Sequence, residues 1–150
     1  NTNQVTSMSE MFSSCRSLSQ IFLKKLNTNS LTDISGMFKN CISLLSLDLS
    51  NFDTSNVVNM SSLFEGDLTL TDIDFSNFNT RKVTSFARMF DNCCSLTSLE
   101  LGNFKTDSLK DLSGMFRMCT KLSRLDLTSF TTEKVEKMDH MLIVVVHYIH

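Results

Sequence analysis

Acidic side chains recur along the chain at a constant interval of 26 residues. The four that share this spacing are Asp48, Asp74, Glu100 and Asp126. Asp72 precedes Asp74 by two residues, and Arg124 precedes Asp126 by the same distance. Side chains two residues apart on a strand share a face, so this spacing predicts a single charged surface.

Carboxylates in neighbouring strands lie about 4.8 Å apart. Like charges at that distance repel each other by roughly 1 kcal/mol in water, so solvent, splayed side chains, cations or a basic partner must relieve the repulsion. Two interpretations remain open: a solvated face that keeps the sheet soluble, or a recognition surface for cationic groups of a ligand. Four carboxylates in a line do not form a calcium cage, and we predict no metal site.

Cysteines form a second column with the same interval. Its members are Cys15, Cys41, Cys93 and Cys119. Asp67 occupies the same column in the third coil, and Cys94 is an additional cysteine next to Cys93. The paired C-x₂-C spacing of zinc sites does not occur, and a repeated column favours buried free thiols. Disulfides between adjacent units, Cys15–Cys41 or Cys93–Cys119, are the alternative if the Cα atoms lie within about 7 Å. The carboxylate of Asp67 must either turn to solvent or accept hydrogen bonds from backbone N–H groups.

The histidines are the remaining candidates for acid–base or metal chemistry. They are His140, His147 and His150. Nothing in the sequence orders them, and we interpret them as surface residues. The chain has neither a nucleophile motif nor a glycine-rich phosphate loop. Active sites need unlike residues that converge, whereas this chain presents like residues in rows. We therefore predict a protein that is not an enzyme, has no catalytic residues and binds no cofactor.

An internal repeat of 26 residues positions these columns. One pair of apolar columns is Met11, Met37, Leu63, Met89, Met115 and Met141, each followed at once by Phe12, Phe38, Phe64, Phe90, Phe116 or Leu142. Within residues 57–64 the apolar spacing predicts one to two turns of α- or 3₁₀-helix. An N-cap residue type, Asn59 in this coil, stands directly before Met60, and a residue that tolerates a left-handed conformation, Gly66, follows seven residues later. The helical turns are predicted between these two residues. Further along, Leu47 and Leu49 alternate with polar residues and predict a strand of about three to five residues.

A unit of this size cannot bury its apolar columns alone, but stacked units cover one another. The pattern L-x-x-L-x-L at Leu44, Leu47 and Leu49 resembles a leucine-rich repeat. The longer pattern V-x-x-M-S-x-M-F-x-x-C-x-x-L-x-x-L-x-L-S-N-F-x-T is similar to the repeat of BspA-like surface proteins, also known from mycoplasma lipoproteins. This similarity covers residues 2 to about 142.

The resemblance implies an α/β leucine-rich-repeat-like solenoid of about six coils, with a parallel β-sheet on one face and short α or 3₁₀ turns on the other. It also implies an extracellular or cell-surface protein associated with adhesion. We number the coils by the repeat as residues 1–30, 31–56, 57–82, 83–108, 109–134 and 135–150.

The sequence predicts a single repeat domain over residues 1–150. Because Asn1 begins within a coil, we expect this domain to be a fragment of a longer chain. Residues 143–150 are interpreted as a divergent last coil or an end strand, and their β-prone composition favours end-to-end self-association. The net charge of −2 does not indicate the basic surface that nucleic-acid binding requires, so we predict no nucleic-acid partner. No stretch approaches the roughly 20 apolar residues of a membrane span.

Phe22 occupies the outward column that Asp48 occupies one coil later. It is either an edge residue covered by a missing neighbour or loop, or an aromatic contact for a partner. A column of threonines is interpreted as hydroxyls that satisfy backbone groups at a corner, with an ice-binding or carbohydrate-facing ladder as the alternative. Its members are Thr2, Thr28, Thr54, Thr80, Thr106 and Thr132. We interpret Asn51, Asn77 and Asn103 as corner residues that bond neighbouring coils.

These observations predict a binding or adhesion module that contacts a protein or another macromolecular ligand on a host or neighbouring cell. The predicted contacts are the outward strand residues Phe22, Asp48, Asp72, Asp74, Glu100, Arg124 and Asp126. The alternative is a structural spacer stalk that holds another domain away from the cell surface. Fold and family analogy carry this functional step.

Overall fold

The strands of the protein are short and parallel. A computed structural model describes residues 2–143. The strands are β1 (Gln20–Ile21), β2 (Ser46–Leu47), β3 (Ser98–Leu99) and β4 (Arg124–Leu125). β1 pairs with β2 and β3 with β4, and each residue faces its equivalent one repeat later. The predicted parallel pairing is confirmed, although each strand has only two residues. Residues 144–150, which carry the prediction of an end strand and of self-association, lie outside the described residues.

Coil 3 interrupts this pairing. Within residues 2–143 the equivalent segment of coil 3, residues 72–73, forms no strand. The described part of the chain therefore contains two separate two-stranded sheets, one in coils 1 and 2 and the other in coils 4 and 5.

A second row of parallel pairs crosses all six coils without interruption, and we call it the bridge ladder. It consists of Ser7, Asp33, Asn59, Ser85, Asp111 and Lys137. The first five side chains also accept a hydrogen bond from the backbone N–H two residues later. Asp33 Oδ1, for example, accepts the Ser35 N–H at 2.8 Å. These residues do cap a chain segment, as their types predicted, but the segment is not a helix.

The predicted helical turns are wrong, since no helix occurs in residues 2–143. After the bridge ladder, successive N–H groups bond alternately within the coil and to the next coil. In coil 2 the Lys39 N–H donates to Gly36 O at 3.0 Å. The following N–H, that of Asn40, donates to Glu65 O of coil 3 at 2.7 Å. An α-helix uses every N–H within its own segment, so this chain forms consecutive tight turns that link the coils instead.

Positive φ angles at every fourth residue of these turns exclude a helix, which keeps φ negative throughout. In coil 2, Gly36 and Asn40 have φ angles of 60° and 58°. The predicted left-handed column is confirmed at its five positions, Ser14, Asn40, Gly66, Asn92 and Met118. A second column was missed because its residue types vary widely. It comprises Glu10, Gly36, Ser62, Arg88, Gly114 and His140.

The apolar columns form a continuous core between the coils. Five phenylalanines, one from each of coils 1 to 5, stack nearly parallel, with neighbouring ring centroids 5.7–5.9 Å apart. They are Phe12, Phe38, Phe64, Phe90 and Phe116. Burial falls at the two ends of the described stack, where Met11 and Met138 are both 52% exposed. Each coil is therefore buried mainly by its neighbours, as the repeat predicted.

The polar corner columns bond neighbouring coils. The buried Thr54 hydroxyl donates to Asn79 O at 3.1 Å and accepts the Asn79 N–H at 2.8 Å. Asn77 Nδ2 donates to Leu49 O at 3.1 Å. These bonds confirm that the threonine hydroxyls satisfy backbone groups at a corner and that the asparagines bond neighbouring coils. Because Thr28, Thr54, Thr80 and Thr106 are buried, they do not form an exposed ladder for ice or carbohydrate.

Within residues 2–143 the structure contains no helix with the length and apolarity that crossing a bilayer requires.

Candidate functional site

The outward strand residues lie together on one exposed surface, which we call the strand face. Its members are Phe22, Asp48, Asp72, Asp74, Glu100, Arg124 and Asp126, and all of them are exposed. The leucines between them turn inward, because neighbouring side chains on a strand point to opposite faces. Leu49 and Leu101, for example, are buried. The structure thus places all seven predicted residues where a partner can reach them.

Three of the four acids in the column also accept hydrogen bonds from the turn that follows them. Asp48 Oδ1 accepts the Ser50 hydroxyl at 2.6 Å and the Ser50 N–H at 3.0 Å. Asp74 accepts the Ser76 N–H, and Asp126 accepts both the N–H and the hydroxyl of Thr128. Such bonds from Asp to the backbone two residues later stabilise turns. The pattern D-x-[ST] could have revealed this role, which the spacing alone did not.

These hydrogen bonds keep the aspartates ionised. The bonds from Ser50 and then the Lys24 ammonium lower the pKa of Asp48 to about 2. The Ser76 N–H lowers the pKa of Asp74, and the Thr128 hydroxyl lowers that of Asp126. A charged carboxylate accepts hydrogen bonds better than a neutral acid, so acceptance favours ionisation. All three carboxylates are therefore negative at neutral pH.

Basic residues pair with two of the four acids in the column. Lys24 Nζ lies 3.2 Å from Asp48 Oδ2. Arg124 Nη2 lies 3.7 Å from Glu100 Oε1. Lys24 was missed because the matching position in later coils is not basic. Among the described residues, no ion pair involves Asp72 or Asp74 of coil 3 or Asp126 of coil 5. Two of the three unpaired acids of the strand face therefore lie in coil 3.

A shallow groove of about 620 Å³ runs between coils 3 and 4, and we call it the acidic groove. Its polar lining comprises Asp72, Asp74, Ser76, Glu100 and Asn103. Gly102 adds open space to the wall, because a Cβ at this position would meet nothing within 4 Å. The groove coincides with the interruption of the sheet and with the two unpaired acids of coil 3.

Phe22 lines a smaller groove of about 290 Å³ beside Lys24 and Asp48. Its side chain is 81% exposed, so no described residue covers it. Residues 2–143 test neither interpretation of Phe22, and both the edge residue covered by a missing neighbour and the aromatic contact stay predictions.

The cysteine column does not form a reactive site. All five cysteines are free, so both disulfide alternatives are wrong. Cys41, Cys93 and Cys119 are buried as predicted, whereas the burial predicted for Cys15 is wrong, because Cys15 lies in the first coil and is exposed. Their thiols donate to backbone carbonyls of the preceding coil, for example from Cys93 Sγ to Phe64 O at 3.0 Å. Burial raises the pKa of Cys119 to about 12, which keeps its thiol protonated.

No group of three or more histidine, cysteine, aspartate or glutamate residues within 2–143 could hold a metal ion. Among the predicted surface histidines, His140 is exposed, whereas His147 and His150 lie outside the described residues.

Two comparisons with known proteins found similarity to this chain. A family described as "Mycoplasma protein of unknown function, DUF285" matches residues 1–72 and 66–148. A leucine-rich repeat protein from Bacteroides ovatus ATCC 8483 has a similar crystal structure, with a TM-score of 0.38 and 15% sequence identity. That similarity covers 90% of this chain but only 45% of the Bacteroides chain. No curated protein matches the sequence.

Proposed function

Because the chain belongs to the family described as Mycoplasma protein of unknown function, DUF285, and carries its BspA-like repeat, we propose that it is a non-enzymatic binding module of the cell surface. In this proposal the strand face contacts a protein or another large ligand through the ligand's cationic groups. The unpaired carboxylates of Asp72 and Asp74 beside the acidic groove are the observation that carries the proposal.

The scaffold suits such a role. We propose that the stacked coils form a leucine-rich-repeat-like solenoid, in which every coil presents its outward residues at a regular spacing. A solenoid offers an extended surface for large ligands rather than an enclosed pocket. The bridge ladder and the phenylalanine stack hold the coils in register from behind the face.

Electrostatics favours a basic partner. An acidic surface attracts cationic groups and raises the rate of association, and salt weakens this attraction. At physiological ionic strength the attraction extends about 8 Å, so acids of neighbouring coils act together. A lysine- or arginine-bearing segment laid along the face would meet two unpaired acids in coil 3. Phe22 would add an apolar contact at the coil 1 end.

A surface location and a role in adhesion are part of the same proposal, and they rest on the repeat family. The second candidate is a spacer stalk, which is favoured by the uninterrupted bridge ladder from Ser7 to Lys137. A stalk needs regular stacking but no ligand. The two functions therefore differ in whether the strand face binds anything.

The test removes the negative charges of the acidic column but keeps the hydrogen bonds that its aspartates accept from the following turns. The variant carries Asp48→Asn, Asp74→Asn, Glu100→Gln and Asp126→Asn, because asparagine Oδ1 can still accept the corner N–H groups. The probe is a fluorescent lysine decapeptide, with binding measured by anisotropy at low and at physiological salt. The control variant removes four acids away from the face, by Glu10→Gln, Asp107→Asn, Glu133→Gln and Glu136→Gln.

We expect the wild type and the control variant to bind the peptide in a salt-dependent manner, and the face variant to lose at least tenfold in affinity. Equal losses in both variants would show that net charge alone attracts the peptide. No binding by the wild type at either salt concentration would favour the spacer stalk.

A further inference from the structure

Asp67 of coil 3 replaces the cysteine of its column and is fully buried. Its Oδ1 accepts the backbone N–H of Cys41 at 2.7 Å. The other carboxyl oxygen, Oδ2, is buried without a hydrogen-bond partner in the described structure. Of the two alternatives for this residue, bonding to the backbone is therefore confirmed and exposure to solvent is wrong.

The groups that face Asp67 come from the coils on either side. They are the thiols of Cys41 in coil 2 and Cys93 in coil 4, and burial followed by the nearby Asp67 carboxyl raises the pKa of the Cys41 thiol to about 12. No charged side chain of the described residues acts on the Asp67 carboxyl. Burial raises the pKa of Asp67 to about 8, against the smaller opposing effect of the Cys41 N–H. The carboxyl is therefore neutral in the packed structure over most of the acidic and neutral range.

The neighbouring coils show what this position requires. Cys93 Sγ and Cys119 Sγ each donate to a backbone carbonyl of the preceding coil at 3.0 Å. A protonated carboxyl provides an O–H donor where these residues provide an S–H donor. An ionised carboxylate has no proton to donate and would leave a buried charge without a cation, which is strongly unfavourable. The packed column therefore favours the protonated form of Asp67.

Asp67 also lies in the coil whose strand segment is unpaired. The bridge ladder passes through Asn59, and Phe64 stacks between Phe38 and Phe90. On the opposite side, residues 72–73 form no strand with either flanking sheet. On that side coil 3 is held by side-chain hydrogen bonds instead, such as Asn77 Nδ2 to Leu49 O and Asn103 Nδ2 to Phe75 O. Local opening of coil 3 there breaks no strand pairing.

From this geometry we propose that coil 3 is a proton-controlled joint, in which protonated Asp67 keeps coils 2, 3 and 4 packed and loss of that proton opens coil 3 locally. A buried acid with a raised pKa stabilises the packed form fully below its unfolded value of 3.8. That contribution is lost as the pH rises through about 8. Opening releases one proton in this window, so the opening constant rises up to tenfold per pH unit.

Native-state amide hydrogen exchange between pH 5 and 8, corrected for the intrinsic exchange rate, tests the joint. The reporters are the N–H groups of Cys41 and Gly66, which bond Asp67 Oδ1 and Asp91 O, and the Asn92 N–H is the reference in the next pair of coils. We expect the opening constants of the two reporters to rise up to tenfold per pH unit. The reference should rise much less.

Asp67→Asn keeps the Oδ1 acceptor but cannot ionise, so it should abolish the rise at the two reporters. Asp67→Cys restores the residue type of the column and should do the same, which covers a failure of the asparagine variant to fold. Asp74→Asn, an exposed acid of the same coil, should leave the rise unchanged. An equal rise of the opening constant at all three amides would indicate global unfolding and would contradict local opening of coil 3. An unchanged rise in the Asp67 variants would show that another group releases the proton.

Discussion

The two long sides of the repeat stack are built differently. The bridge ladder crosses all six coils from Ser7 to Lys137, whereas the strand face is divided at coil 3 into two short sheets. Behind the ladder lie the stacked phenylalanines, and on the strand face lie exposed acids. This difference shows that the turns and their inter-coil bonds hold the stack together. The strand face contributes less to the stacking of the coils, because its sheets are short and interrupted.

The largest expected effect comes from removing one ring of the phenylalanine stack. Phe64→Ala should lower the free energy of unfolding by about 3–5 kcal/mol, because it leaves a cavity between Phe38 and Phe90. Urea denaturation monitored by circular dichroism measures this loss. The matched control is Phe22→Ala on the strand face, which should change stability by no more than about 0.5 kcal/mol. Similar losses of unfolding free energy in both variants would contradict the conclusion that the phenylalanine side, and not the strand face, stabilises the stack.

A smaller effect is expected from two glycines on opposite sides. Gly66 has a φ of 77°, and a Cβ there would overlap with Asn40 Oδ1. Gly66→Ala should therefore lower the free energy of unfolding by about 1–3 kcal/mol. Gly102 has no positive φ and open space around it, so Gly102→Ala should be neutral or stabilise the protein slightly. Thermal or urea unfolding of the pair checks both signs, and a destabilised Gly102→Ala would show hidden packing on the strand face.

The smallest effect concerns the corner bonds of the acidic column. The Asp48 carboxyl should titrate at about 2, because the Ser50 bonds favour its ionised form. Its contribution to stability is thus present above the unfolded value of 3.8 and disappears as the pH falls through about 2. Ser50→Ala should raise the pKa of Asp48, whereas Ser46→Ala on the same strand face should leave it unchanged. NMR titration of the side-chain carboxyl carbon measures both, and an unchanged value in Ser50→Ala would contradict the corner role.

Much of the packing was predictable from the columns. Residues such as Met37 and Phe64 recur with identical spacing, and burial of repeated apolar residues follows directly from stacking. The outward position of the seven strand-face residues followed from alternation along the strand. The helices were predicted wrongly because the spacing of Val57, Met60, Leu63 and Phe64 fits one face of a helix. The same spacing also fits successive tight turns, and sequence periodicity does not distinguish the two.

The amino-acid sequence by itself determined the repeat, its register and the inward and outward columns, because these depend only on residue type and interval. The tertiary structure decided where each backbone N–H bonds. The hydrogen bond from Asn40 N–H to Glu65 O links residues 25 positions apart, and local propensity contains no information on such a pairing. The tertiary structure also decided the environment of Asp67, which the sequence left open between solvent and backbone. Burial between two coils removes its water, and that desolvation makes an ordinary aspartate a neutral acid.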